Sequence, residues 1–279
     1  MTGTLYLVPT PIGNLGDLSP RCAQALETAD FIAAEDTRVS LKLMNQLGLK
    51  KPMTAYHRHN FEQSGPKILE RLLAGESCAL VTDAGTPAIS DPGEQLVELC
   101  IRANVPVTSI PGPCALITAL TLSGLPTGRF TFEGFLPMNK KNRRGQLDTL
   151  RGETRTMIFY EAPHKLAATL CDLRDTFGGE RTVALCRELT KLHEEVIRTT
   201  LGEAAELYAG EREARGEFVL VVAGACPEEE ENATVEDGAR RVRGLMEGGA
   251  SLRDAVKTAA KELGLSKNEL YQFVVSTEE

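Results

Sequence analysis

Two loops carry residue types that can hold a small ligand. Asp83-Ala84-Gly85-Thr86-Pro87-Ala88-Ile89-Ser90-Asp91-Pro92-Gly93 follows the apolar stretch 78–82, and Ile110-Pro111-Gly112-Pro113-Cys114-Ala115 closes the stretch 105–110. Glycine allows close approach to the backbone, and proline stiffens a loop so that its N–H and C=O groups stay aimed. Alone, each loop is equally a tight strand-to-helix turn. Side by side, they can grip the amino-acid part and the sugar of one nucleoside-type ligand. Groups able to move a proton stand near other apolar stretches: Glu35 and Asp36 after 31–34, His57 and His59 in Tyr56-His57-Arg58-His59-Asn60, Glu161 after 156–160, and Lys191. Some have plain structural alternatives. Asp36 can cap a following helix with Arg38 as its partner. Arg187, Glu188, Lys191 and Glu194 can form a surface ion-pair network.

These groups need elements to position them. Short apolar runs alternate with amphipathic segments through the first half, the pattern of a mostly parallel sheet covered by helices. Strands are expected at 3–8, 31–34, 78–82 and 105–110, each running into a polar or Gly/Pro loop. Ser19 followed by Pro20 reads as an N-cap opening a helix to about residue 29. Helices are also expected from the cluster 35–38 to Leu47, over 94–103 and over 114–122. The rhythm breaks around 130–136, and the basic run 138–145 is the expected junction of two domains, 1–124 and 125–227. Strand-like runs at 156–160, 182–187, 195–200 and 217–223, with helices over 164–177 and 202–208, predict a mixed sheet. An acidic linker, 227–232, precedes a helical module at 233–279, where Ser251 and Ser266 bracket a helix-turn-helix outline. The charges of that module nearly balance, so DNA reading is not expected of it.

The chain of 279 residues carries 31 Lys and Arg against 39 Asp and Glu, a net charge of −8, with ordinary globular hydrophobicity of 42%. That balance argues against a protein that coats nucleic acid non-specifically. Lys140, Lys141, Arg143 and Arg144 reverse it locally and are candidate RNA-phosphate contacts. Seven cysteines without a CxxC pair suit a reducing compartment rather than a disulfide scaffold or zinc ribbon. No apolar run approaches the ~20 residues that span a bilayer, and no export signal opens the chain, so a cytoplasmic protein without membrane contact is expected. GxGxxG after a strand, GxxxxGK[ST], HExxH and GxSxG are all absent, which disfavours hydride transfer, NTP hydrolysis, zinc hydrolysis and triad acyl transfer. No metal site is expected.

The blocks PTPIGNLGDLSPR (9–21), AAEDTR (33–38), YHRHN (56–60), TDAGTPAISDPG (82–93), IPGPCALITAL (110–120), FYEAPHK (159–165), RELTKLHEE (187–195) and GEFVLVVAG (216–224) resemble the tetrapyrrole-methylase superfamily. Within it they resemble the branch that 2′-O-methylates a ribose of 16S ribosomal RNA. The resemblance spans nearly the whole chain, including the C-terminal helical module. It implies two α/β domains with S-adenosylmethionine in the cleft between them, a homodimer, and a decoding-region cytidine in the small ribosomal subunit as target. The implied cofactor contacts are Pro9, Pro11, Gly13, Asp83, Ala84, Gly85, Pro87, Ile89, Cys114, Ala115, Tyr160, Arg187, Glu217 and Phe218. Glu35, Asp36, His57, Glu161 and Lys191 are the candidate catalytic groups, since a ribose hydroxyl gains from a positioned base by ~10²–10⁴-fold. Arg38, Arg58 and His59 join the basic run as candidate RNA contacts. Two positions depart from the family pattern: Arg58 stands where an acidic residue is common, and Lys165 where arginine is common. A corrin or porphyrin C-methylase and a non-catalytic ribosome-binding factor remain the alternatives.

Overall fold

The computed structural model describes residues 1–226 and 233–277, so the expected acidic linker at 227–232 lies outside the described residues. Contacts divide the chain into two compact units, Met1–Ala225 and Cys226–Glu279.

The first unit holds two five-stranded sheets. In the first, β1 (Leu5–Leu7), β2 (Phe31–Ala34), β3 (Met53–Ala55), β4 (Cys78–Val81) and β5 (Val107–Ser109) are all parallel, in the order β3-β2-β4-β1-β5. β2 and β4 are buried along their whole length, as strands covered on both faces must be. Helices α1 (Pro20–Thr28) and α2 (Thr37–Gln46) cover one face, through Leu26 and Met44 on Ile32 and Val81. Helices α3 (Phe61–Leu73) and α4 (Glu94–Arg102) cover the other, through Ile68 and Leu96 on Phe31 and Leu80. The chain therefore leaves β1 toward one face and β4, its neighbour, toward the other. That divergence opens a crevice beyond the carboxyl ends of the pair, where open α/β sheets bind ligands.

The helix starts follow local chemistry. Ser19 accepts the Cys22 N–H with Pro20 at the first helical position, and Asp36 accepts the Arg38 N–H at 2.8 Å. Neither β3 nor α3 is evident in the sequence. β3 is three half-buried edge residues, and Gly65-Pro66 reads as a breaker although the helix runs through it.

The second sheet has the order β6-β7-β10-β8-β9. β6 (Phe130–Phe135) and β7 (Thr156–Glu161) are parallel, whereas β8 (Thr182–Arg187), β9 (Glu195–Thr200) and β10 (Phe218–Val222) pair antiparallel. Leu166, Leu170 and Leu173 of α7 (Pro163–Phe177) pack on Phe159, Leu185 and Leu220. Leu116, Ala119 and Leu120 of α5 (Ala115–Ser123) pack on the opposite face, against Ile158, Ala184 and Val221. Thus α5, which precedes the expected boundary at 124, has its apolar side on the second sheet. The basic run expected to be a junction is helix α6 (Lys140–Thr149), because Asn139 caps its Lys141 and Asn142 N–H groups and Leu147 is buried. Helix α8 (Leu201–Glu206) carries a Thr200/Glu203 capping box and completes this layer.

The second unit comprises α9 (Val235–Glu247), α10 (Leu252–Leu263) and α11 (Lys267–Ser276) around Val242, Val256, Ala259 and Leu270. Ser251 and Ser266 cap α10 and α11, and Gly264 between them is left-handed. α9, not expected from the sequence, starts at a Thr234/Asp237 capping box. Among the described residues no helix is long and apolar enough to cross a membrane.

Candidate functional site

The two Gly/Pro loops meet beyond the carboxyl ends of β1 and β4. Thr10 and Gly85 exchange backbone hydrogen bonds at 2.9 and 3.0 Å, and Gly85 sits at φ +83°, a conformation that residues other than glycine resist. Thr86 Oγ1 donates to the Pro113 carbonyl at 2.8 Å, tying the 83–93 loop to the 110–115 loop. At Gly112 a Cβ would stand 2.8 Å from the Pro9 ring, so the β1 loop and the 110–115 loop touch with no room for a methyl group. The ends of β7 and β8 and the start of β10 face these loops. Tyr160 accepts the Leu116 N–H at 3.1 Å, locking the start of α5 to β7.

Together they enclose a cavity of about 600 Å³. Of the expected cofactor contacts, Asp83, Ala84, Gly85, Ile89, Cys114, Ala115, Tyr160, Glu217 and Phe218 line it. Pro9, Pro11, Gly13, Pro87 and Arg187 do not line it. Gly13 packs on the Lys191 side chain and the Leu189 carbonyl. Arg187 is fastened to the Arg215 carbonyl at 2.6 Å and to Glu195 at 3.4 Å.

The catalytic candidates divide in the same way. Glu35 and Glu161 line the cavity. Glu161 is buried and fully engaged, accepting from Thr169 Oγ1 at 2.6 Å and from the Ala162 N–H at 2.8 Å, so it anchors the start of α7. Asp36 caps α2 and holds the Arg38 guanidinium at 2.6 Å, which draws its carboxyl down to about 2. Lys191 bridges Glu188 at 2.8 Å and Glu217 at 2.9 Å. His57 lies outside the lining, its Nδ1 accepting the His59 N–H at 3.3 Å.

Among the candidate RNA contacts, Arg38, His59, Lys140, Lys141 and Arg144 are exposed. Arg58, also exposed, donates to the Ser90 carbonyl. Arg143 differs from its neighbours in the basic run. Its side chain is 14% exposed and meets Asp172 of α7 at 2.6 Å, off the hydrogen-bonding line, so Arg143 Nε and Asp172 Oδ2 lack hydrogen bonds. It holds α6 on α7. Sequence reasoning missed Asp91 and Phe135, which also line the cavity. Asp91 stood within a loop already singled out, but nothing in the sequence separated it from its neighbours.

The charge of the lining is one-sided. Glu35, Asp83, Asp91, Glu161 and Glu217 supply carboxylates, and no lysine or arginine lines the cavity among the described residues. Burial pushes the Asp91 carboxyl up to about 7, helped by Glu35 and opposed by Arg58. Burial and the neighbouring Asp83 raise Glu35 as well. Such a wall repels phosphate and favours a cation. Ile12, Leu189, Phe218 and Val219 provide an apolar side for a flat ring. A sulfonium nucleoside with an ammonium group matches both properties, and the volume lies in the ordinary range of ~300–1,000 Å³ for small-molecule pockets.

Residues 4–205 match the family of tetrapyrrole (corrin/porphyrin) methylases. The chain belongs to that family. Residues 232–276 match the RsmI C-terminal HTH domain. Among its relatives, the tetrapyrrole methylase described here is 48% identical to the ribosomal RNA small subunit methyltransferase I of Synechocystis, over 99% of each chain. It is 46% identical to the protein of that name from Pseudomonas aeruginosa, covering 97% of this chain and 96% of the relative. Its fold is shared by uroporphyrin-III C-methyltransferase of Thermus thermophilus in complex with S-adenosylhomocysteine, with a TM-score of 0.55 and 20% identity over 79% of this chain and 97% of the other. Diphthine synthase gives a TM-score of 0.60 at 15% identity, over 79% and 90%. As a tetrapyrrole methylase, the protein is an S-adenosylmethionine-dependent methyltransferase.

Proposed function

We propose that this protein methylates 16S ribosomal RNA, transferring the methyl group of S-adenosylmethionine to the ribose 2′-oxygen of a decoding-region cytidine in the small ribosomal subunit. It acts as a cytoplasmic homodimer. The relatives at 46–48% identity, all named as small-subunit rRNA methyltransferases, support the RNA substrate. The observation that carries the donor assignment is the cavity wall, with five carboxylates and, among the described residues, neither lysine nor arginine, which suits a sulfonium. Asp83, Gly85, Cys114, Ala115 and Phe218 would hold it. The donor brings an already activated methyl group, so the protein's share is alignment of the acceptor oxygen with the methyl carbon and sulfur. In this reading the parts within 1–124 and 125–227 grip the donor from two sides. Lys140, Lys141 and Arg144 meet RNA phosphates, and the 233–279 module serves docking on the subunit.

The test is transfer of labelled methyl from S-adenosylmethionine to small subunits that lack the modification, followed by digestion to nucleosides. Label in 2′-O-methylcytidine is expected. Label on a base, or label accepted by a porphyrinogen and not by the subunits, would overturn the assignment.

A further inference from the structure

A smaller cavity of about 400 Å³ adjoins the first and shares Ser90, Asp91 and Phe135 with it. Its other walls include Arg58, Phe61 and Glu94. Phe135 is 53% exposed, unusual for a ring beside a cleft, and it stands edge-on to Tyr160 with centroids 5.5 Å apart. An exposed aromatic ring braced in this way offers its face for stacking by a nucleobase.

Asp91 occupies the partition between the two spaces. Three of the other cavity carboxylates have partners: Asp83 accepts the Asp36 N–H, Glu161 is held by Thr169, and Glu217 pairs with Lys191, while the Asp83 backbone partly offsets the burial of Glu35. Asp91 has neither hydrogen bond nor ion pair among the described residues. The charged groups around it are Glu35 beyond β2, Asp83 beyond β4, Arg58 beyond β3 and Glu94 at the start of α4. Arg58 is pinned to the carbonyl of Ser90, next to Asp91.

We propose that the smaller cavity seats the acceptor nucleotide and that Asp91, at its boundary with the donor cavity, is the catalytic base that takes the ribose 2′-hydroxyl proton. The assignment rests on the ribose-methylation reading above. As the ribose O–C bond forms, the C–S bond breaks with its electron pair left on sulfur. The hydroxyl proton passes to a carboxylate oxygen of Asp91. One positive charge on sulfur and one negative charge on Asp91 are consumed, leaving a thioether, a methyl ether and a neutral acid. The wall between the cavities is the place where such a group touches the acceptor oxygen without displacing the donor.

Single-turnover methyl transfer to unmodified small subunits, at saturating S-adenosylmethionine and across pH 5.5–9, tests this. Asp91→Asn should bind the donor within a few-fold of wild type by calorimetry, yet lower the rate by ~10²–10⁴-fold and abolish the rise with pH. Arg58→Gln removes a cation that favours the carboxylate, so the rising limb should move to higher pH. Phe135→Ala should weaken binding of the subunits about tenfold without donor present, a readout independent of turnover. A rate for Asp91→Asn within tenfold of wild type with the limb retained would overturn the assignment. So would an unmoved limb in Arg58→Gln, or unchanged subunit binding in Phe135→Ala. If wild-type protein transfers no methyl to the subunits, the functional reading itself fails, a different outcome from an active but insensitive variant.

Discussion

Replacing Asp91 by asparagine should stabilise the donor-free protein at neutral pH and leave it little changed in acid. An ordinary aspartate ionises near 3.8, and burial in the cavity wall pushes Asp91 to about 7. Between those values the folded state holds a proton that the unfolded state has released. Stability from this group is therefore complete below about pH 4 and is lost as pH rises through about 7. A displacement of about three pH units corresponds to ~4 kcal/mol at about 1.4 kcal/mol each. The carboxyl is only half-buried, so solvent screening reduces this to about 1–2 kcal/mol. In a unit of this size that is a rise of about 3–6 °C in Tm. Thermal melts of wild type and Asp91→Asn at half-unit steps from pH 5 to 8 provide the assay. The variant's advantage should widen steadily to pH 7.5. A constant difference, or a variant less stable at pH 8, would mean that the carboxylate is well solvated or paired and that the cavity wall has been misread.

A cation bound beside Asp91 should pull its proton off, so calorimetric titration with S-adenosylmethionine at pH 6.5 in buffers of different ionisation enthalpy should show proton release that Asp91→Asn largely loses. Gly112→Ala places a methyl group 2.8 Å from the rigid Pro9 ring. It should cost about 1–3 kcal/mol as an overpacking change and weaken donor binding at least tenfold, read by melts and calorimetry. Lys140, Lys141 and Arg144 together changed to glutamine should flatten the salt dependence of subunit binding by about two in log–log slope. Arg143→Gln should leave that slope unchanged and lower stability by about 1–3 kcal/mol, because Asp172 is left half-buried without its partner.

Most of the scaffold was legible because its signals are local and redundant. The fully apolar β2 and β4, the Ser19-Pro20 start and the Ser251 cap each combine a propensity with a breaker or cap at a known offset. What escaped carries contradictory local signals. Helix α3 runs through Gly65-Pro66, and α6 begins with a cluster of cations opposed to its own dipole, so that run reads as a linker until Asn139 and Leu147 are seen at work. The two Gly/Pro loops were legible as companions, and the structure joins them at one cavity, since strand followed by glycine and proline is a short-range pattern. The division of labour among the carboxylates was not, because it depends on contacts distant in sequence. Asp36 is engaged by Arg38 and its own helix, Glu161 is hydrogen-bonded by Thr169, and Lys191 is paired with Glu188 and Glu217.

That division has a physical logic. A cavity for a cationic donor must be lined with negative charge, but every carboxylate left unpaired there raises the others and invites protonation. Pairing most of them keeps the wall structurally defined and leaves Asp91 to take up much of the remaining repulsion. Asp91 follows Ala88 and Ser90, whose left-handed conformations, φ +67° and +64°, cost energy for residues other than glycine. A carboxyl held near neutrality can sit uncharged in the donor-free protein and ionise as a sulfonium arrives. It would then be a base only when there is a methyl group to transfer. The loop 83–93 thus joins two functions that the sequence shows only as one run of turn residues: a backbone cradle at Gly85 and the proposed proton-accepting site at Asp91, six residues further along the same chain, at the edge where the second cavity begins.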